Sequence, residues 1–402
     1  MPQNHSFPRR RLLHAGASAW LSASLWQVAR GAARADGTGA SAAPPRGARG
    51  TFGRAKRLLW IYLSGGPSQY ETFDPKPDAP AEIRGTFSPI ATSVPGVHFC
   101  ELLPRVASMA DKLAVVRAFA TDDPNHESAG YWVNTGHKYV GPDMRALAPT
   151  DWPTLGTIVR MLKPTERGPF SSVMLPEPII ANPNVFLPGQ NAGFLGRRWD
   201  PEIRKCDPAA PDFRIESLTL PEQVTPDRLG SRDRLLAGLN ASRRIESPAA
   251  ADYERLCRDA LGLLLTGTAR GAFALDKEPP ALRDRYGRGK WAQSVLLARR
   301  LIEAGVRMVF VNWPREPGDL SAGNPLWDTH AHNDARMRDV LCPQFDQGFT
   351  ALIEDLEDRV LPQELTATIL HLLGIGHEAT FPDATGRPLR AVEGEPVEAL
   401  LP

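Results

Sequence analysis

Apolar positions along the chain fall into two kinds of run. The first kind is short and nearly continuous: Arg57–Ser64, Leu113–Phe119, Ser171–Leu175 and Val306–Val311. Runs of this length, with little polar alternation, predict strands buried on both faces, as in a parallel sheet. The second kind recurs every three or four residues and predicts helices over Leu102–Lys112, Leu155–Leu162, Tyr253–Leu264, Gly289–Ala304, Arg336–Val360 and Glu364–Leu373. In Gly289–Ala304 the inward positions are Trp291, Val295, Leu296, Leu301 and Ile302, and Gly305 closes the helix before the next strand. In Arg336–Val360 they are Phe345, Phe349, Leu352, Ile353 and Leu356. A further helix is expected from the polar loop Thr121–Ser128 through Tyr131 and Trp132 to Gly136. Strands alternating with helices predict an α/β fold, doubly wound around a mostly parallel sheet with helices on both faces. No internal repeat is visible.

Polar text between these runs sets the organisation. The glycines of Gly65-Gly66-Pro67-Ser68 let the chain turn at the carboxyl end of the first strand, where α/β proteins keep their sites, and Gln69, Glu71 and Asp74 follow there. Residues 176–248 are rich in Pro, Gly and Arg and predict a loop-rich insertion, either a substrate-facing cap or a surface excursion. Residues 54–402 are expected to form a single domain. Across 402 residues, 47 basic and 46 acidic side chains nearly cancel, which argues against a nucleic-acid partner held by bulk electrostatics. The four cysteines are scattered and form no CxxC pair, so isolated buried thiols are expected rather than a disulfide scaffold.

The N-terminus has the order of an export signal. Arg9-Arg10-Arg11-Leu12-Leu13 resembles a twin-arginine consensus, a weakly apolar segment runs from Ala15 to Ala29, and Ala33-Arg34-Ala35 offers a cleavage site. The apolar segment is too short and too polar for a transmembrane span. Residues 1–35 are therefore read as a twin-arginine-type signal peptide and 36–53 as a flexible leader. The expected partner is the twin-arginine export machinery, and the expected location periplasmic or extracellular. The other reading of this arm is a basic disordered tail.

Chemistry concentrates in Trp327-Asp328-Thr329-His330-Ala331-His332-Asn333, just beyond the last predicted strand. A carboxylate and imidazoles so placed suit a divalent cation such as zinc. The plainer reading is a polar loop capping the next helix through Asn333 or Asp334. In the loop Thr121–Ser128, His126 or Ser128 could act as nucleophile or ligand, or Ser128 could simply begin the helix.

Several motifs together are similar to one family. They are Gly65-Gly66-Pro67-Ser68 with Thr72–Pro77, Thr135-Gly136-His137, Ala298–Val306, Trp327–His330, and the tail Phe381-Pro382-Asp383 with Gly386–Leu389. From about Lys56 onward the chain resembles domain-of-unknown-function family 1501, an exported group of the alkaline phosphatase and sulfatase superfamily. The resemblance implies a metal-dependent hydrolase of phosphate or sulfate esters, with zinc, manganese or calcium polarising the ester. It implies Asp328 and His332 as metal ligands, His330 as a third, Glu71 and Asp74 as acids after the first strand, and His126 or Ser128 at the nucleophile position.

The chain also departs from that pattern. Ser64-Gly65-Gly66 stands where the superfamily acid is expected, and Gln69 and Glu71 stand where the family has His and Asp. The family's Gly-Glu-Phe-Gly-Arg-Thr and Asp-His-Trp motifs are missing at Val360-Leu361, which implies a deletion there. His371 and His377 lie on and beside an apolar helix and are read as structural. The site is therefore expected to be incomplete, and the alternative is a non-catalytic secreted binding or structural module.

Overall fold

The computed structural model describes residues 53–359, apart from positions 54, 118, 142–144, 166–169, 181–184, 222, 242–252, 255–256, 258–259, 263, 266 and 316–325, and also 380–382 and 388–390. The signal and leader expectations, much of the Tyr253–Leu264 helix, the Val360-Leu361 junction and the Glu364–Leu373 helix lie outside the described residues.

The strands are β1 (Leu58–Tyr62), β2 (Pro89–Ala91), β3 (His98–Cys100), β4 (Ser172–Leu175), β5 (Glu202–Ile203), β6 (Met308–Asn312), β7 (Thr380–Pro382) and β8 (Pro388–Arg390). The helices that matter for the site are α1 (Pro104–Ser108), α2 (His126–Thr135), α3 (Leu155–Leu162), α4 (Pro280–Tyr286), α5 (Lys290–Glu303) and α6 (Cys342–Arg359). Four strands form one parallel sheet in the order β1-β6-β4-β5, with Leu58 beside Met308, Ser172 beside Met308, and Val173 beside Glu202. β2–β3 and β7–β8 are small antiparallel pairs.

Successive side chains of a strand point to opposite faces, and the core divides accordingly. Val173, Leu175, Val309 and Val311 pack in one apolar cluster with Val295, Leu296 and Ile302 of α5. Met174, Met308 and Phe310 pack in the other with Ile158 and Val159 of α3. The protein is thus a mixed α/β structure with helices on both faces of its parallel sheet. β6 has a strand on either side and is buried along its whole length.

Three expectations change. β1 was expected to be buried on both faces, but it pairs with β6 alone among the described residues and is half-buried throughout, at one edge of the described sheet. Leu113–Phe119 has the residue types of a strand, but among the described residues none of it joins a ladder, and Val115, Val116 and Phe119 are exposed. Strand propensity reports how a residue fits a pleated, partly covered surface, and it needs a neighbouring strand to act on. Within 176–248, read from the sequence as a substrate-facing cap or a surface excursion, residues 202–203 supply β5 at the opposite edge, with Arg204 N donating to Met174 O at 3.0 Å.

Behind α5 lies a buried ionic cluster. Arg299, wholly inaccessible to solvent, meets Glu278 at 3.0 Å, Glu303 at 2.8 Å and Asp355 at 3.5 Å, while Tyr286 Oη donates to Asp355 at 2.9 Å. Burial alone would push the Glu278 carboxyl up, but Arg300 and Arg299 outweigh it and hold the group below the usual carboxylate range. A depressed folded pKa contributes stability above the unfolded value, about 4.3 for Glu, which is lost as pH falls through the folded value. The melting temperature should therefore drop on acidification below about pH 4.3, and less steeply in Glu278→Gln, as followed by circular dichroism. Parallel slopes for the two proteins would refute this role for Glu278.

Candidate metal centre

The site is built at the carboxyl edge of the sheet from two loops. After β6 the chain continues through Trp313, whose N–H donates to Tyr62 O at 2.9 Å, and later returns so that Trp327 N donates to Ser64 O at 2.9 Å. Ser64 Oγ also donates to Asn312 Oδ1 between the ends of β1 and β6. The Trp327 ring is buried against Trp313 at 4.9 Å and Phe345 at 6.0 Å. One apolar anchor thus fixes the segment from which Asp328 and His330 project. That segment is bracketed by two non-glycine residues in the left-handed region, Leu326 at φ 61° and His332 at φ 56°. Left-handed backbone costs free energy in such residues and persists where the surroundings impose it, a situation that clusters at functional sites.

The second loop opens α2. Asn125 caps the helix, its side-chain oxygen accepting from Glu127 N at 2.9 Å and Ser128 N at 3.4 Å. This is the ordinary way to satisfy the first orphan amides of a helix, and it leaves His126 as the first helical residue facing the other loop. α2 comes close to β1 through Gly130, where an added Cβ would lie 2.8 Å from Tyr62 Oη. A larger residue there would have to displace the Tyr62 side chain. Burial pushes the Tyr62 hydroxyl up to about 12, partly offset by its hydrogen bond with Asn134.

His126, Asp328 and His330 converge. His126 Nε2 lies 3.0 Å from Asp328 Oδ2, His330 Nε2 lies 2.5 Å from the same oxygen, and one ligand atom from each falls within 4.8 Å of the others. Two imidazoles and a carboxylate are a donor set for a borderline or hard divalent cation, and three protein ligands leave coordination positions open, as catalytic zinc sites do. The cluster stands at the wall of a cavity of about 410 Å³, bounded on its apolar side by Leu63, Val133, Ile180, Leu187 and Leu326. Its size is that of a small-molecule site. Arg145 and Glu127 also line it and pair with one another at 3.3 Å. A somewhat larger cavity, about 460 Å³, is walled by the single stretch 203–217 and contains no comparable cluster of ligands.

The other expected site residues lie elsewhere. His332 is exposed at the N-cap position of the turn Asn333–Arg336 and stands outside the cluster. No side chain caps that turn, and Asn333 Oδ1 instead accepts from Thr329. Glu71 faces inward, with Oε1 beside Gly85 and its Oε2 buried, close enough to Cys100 and Cys342 for its charge to help raise both thiols above their ordinary range, mainly after burial. Asp74 pairs with Lys76 and, at 3.5 Å, with Arg117. Ser128 is buried with its hydroxyl 3.4 Å from Asn125 O, inside the cap rather than on the cavity wall. All four cysteines are free, Cys100 and Cys342 being buried. Sequence reasoning assigned no role to Glu127 and Arg145; their spacing of eighteen residues across a loop carried no signal.

Fold and site together describe a parallel α/β protein with a three-ligand His₂Asp cluster at its carboxyl edge. The chain belongs to the family described as "Protein of unknown function (DUF1501)", whose profile matches residues 55–361. No curated protein and no solved structure matches the chain.

Proposed function

We propose that this is an exported, metal-dependent hydrolase of phosphate or sulfate esters, a reduced member of the alkaline phosphatase and sulfatase superfamily with a doubly wound fold. The observation that carries the reading is the convergence of His126, Asp328 and His330 beside an apolar-walled cavity. His126, Asp328 and His330 would hold a divalent cation (zinc, manganese or calcium), which when bound would supply Lewis-acid polarisation of the ester oxygen. The chain's own residues do the rest. His126 and His330 hold Asp328 from two sides, and Trp327 keeps their loop in place. The apolar wall receives the organic part of the ester and excludes water around the reacting bond. Glu127, oriented by Arg145, is the wall carboxylate not engaged in the cluster and takes the proton of the attacking water. Water adds at phosphorus or sulfur, the ester bond to the alcohol oxygen breaks, and that oxygen leaves as the alcohol, taking the proton that Glu127 received from the water.

With Ser128 inside the helix cap, this reading requires no serine nucleophile. Ser128→Ala should therefore keep turnover within about twofold of the parent, at a stability cost of order 1 kcal/mol for the buried hydroxyl. A loss of turnover without loss of fold would restore Ser128 as the nucleophile. The general test is turnover of aryl phosphate and aryl sulfate by purified mature protein, stripped with chelator and then given zinc, manganese or calcium. Metal-dependent turnover supports the proposal.

The second reading, a non-catalytic secreted binding module, is favoured by one observation. Glu71 and Asp74, the further acids of the superfamily plan, stand outside the cluster. Stoichiometric metal without turnover of either ester would select it.

A further inference from the structure

The amino edge of the sheet carries a second feature. Lys56 precedes β1, Arg307 precedes β6, and Lys163 follows α3. Hydrogen bonds lock these three segments together. Leu58 N donates to Arg307 O at 2.7 Å, Arg307 Nη1 to Lys56 O at 3.3 Å, Lys56 Nζ to Gly53 O at 2.9 Å, and Thr165 Oγ1 to Gly305 O at 2.9 Å. The three cationic side chains line a cavity of about 320 Å³ with Gly53 and Ala55.

No carboxylate pairs with any of the three among the described residues, whereas Lys290 meets Glu177 at 2.7 Å and Arg299 meets Glu303 at 2.8 Å. Lys163 stands below the ordinary lysine range, first through burial and then through Arg307 and Lys56. Holding like charges together in a concave, partly desolvated site is unfavourable unless an anion enters it. Guanidinium and ammonium donors converging from three segments are also what recognises a tetrahedral oxyanion.

We infer that Lys56, Lys163 and Arg307 form a binding site for a small oxyanion of the phosphate or sulfate class, separate from the metal centre. The five residues of β1 at about 3.3 Å each put the two edges roughly 15 Å apart, so one small ligand cannot span both. The inference does not rest on the hydrolase reading. A chain that turns over no ester would still bind the anion here, and a chain that turns over esters would carry this as an additional site responsive to the anionic product class.

Calorimetric titration of the full chain, stripped of metal with chelator, tests it with sodium sulfate and sodium phosphate at constant ionic strength. The expected result is one saturable site for either anion, weakened about tenfold in Lys163→Gln by loss of one charge-assisted hydrogen bond. Lys163→Arg should recover most of the affinity, which a merely structural lysine would not require. His330→Ala should bind sulfate as the parent does. The inference is overturned if Lys163→Gln binds as tightly as the parent, if acetate or chloride competes equally with sulfate, or if no saturable binding occurs. Circular dichroism of each variant verifies that it is folded, and Lys56→Gln provides a second variant should Lys163→Gln fail to fold.

Discussion

His330→Ala is expected to abolish stoichiometric metal binding and, with it, metal-dependent ester turnover, while leaving the fold intact. The side chain is about half exposed, at 54% accessibility, and lies within hydrogen-bonding distance of Asp328, so its removal opens no core cavity. Its loss takes away one of three donors that converge within 4.8 Å. Removing a group that merely supports a metal ligand usually costs 10–100-fold in affinity, so losing a ligand should cost at least about a hundredfold. His332→Ala, two residues on, should leave metal content within about twofold of the parent, because that ring stands outside the cluster. Metal analysis of dialysed proteins distinguishes the two variants. Equal loss in both would return the site to the Asp-x-x-x-His pattern, and loss in His332→Ala alone would reject the cluster.

The second large effect belongs to Trp327→Ala. The indole is buried in an aromatic group formed with Trp313 and Phe345, and Trp291 extends that group, 4.4 Å from Trp313. Among the described residues its N–H has no hydrogen-bond partner, so the loss is one of packing. Truncation should cost about 3–5 kcal/mol through lost transfer energy and the cavity left behind. It should also weaken metal binding, since Trp327 holds the Asp328–His330 segment against the end of β1. Denaturant unfolding with and without metal separates these consequences. A change below about 1 kcal/mol would mean that the segment is held by its backbone hydrogen bond to Ser64 and not by the ring.

Much of the architecture was legible because it rests on periodicity. Leu155–Leu162 and Lys290–Glu303 follow from apolar residues three and four apart, and Met308–Asn312 from a continuous run flanked by strands on both sides. The same logic overreached for Leu58–Tyr62 and Leu113–Phe119. An apolar run states that a segment can be covered on both faces, but not which neighbours do the covering. Here β1 has one strand neighbour among the described residues, and Leu113–Phe119 has none.

At the site, the two polar loops singled out in the sequence lie beside one another, but the direction of their side chains could not be read from it. His126 was placed at a nucleophile position by counting along a loop. Instead, the Asn125 cap turns it toward Asp328. Asp-x-x-x-His spacing favoured His332, but the left-handed turn at that residue takes it away from the cluster and leaves His330 beside Asp328. Glu71 and Asp74 have suitable chemistry and lie near in sequence to the end of β1. Their surroundings are nevertheless buried thiols in one case and Lys76 with Arg117 in the other. Left-handed backbone at a histidine or a leucine leaves no signature in composition, so the sequence could not show that His330 rather than His332 would stand beside Asp328.

Anomalous diffraction from crystals grown with zinc tests the central claim most directly. The account predicts one strong peak at coordinating distance from His126 Nε2, Asp328 and His330, on the side of the apolar cavity. A peak beside Glu71, Asp74 or His332, or no peak near the His126–Asp328–His330 cluster, would contradict it.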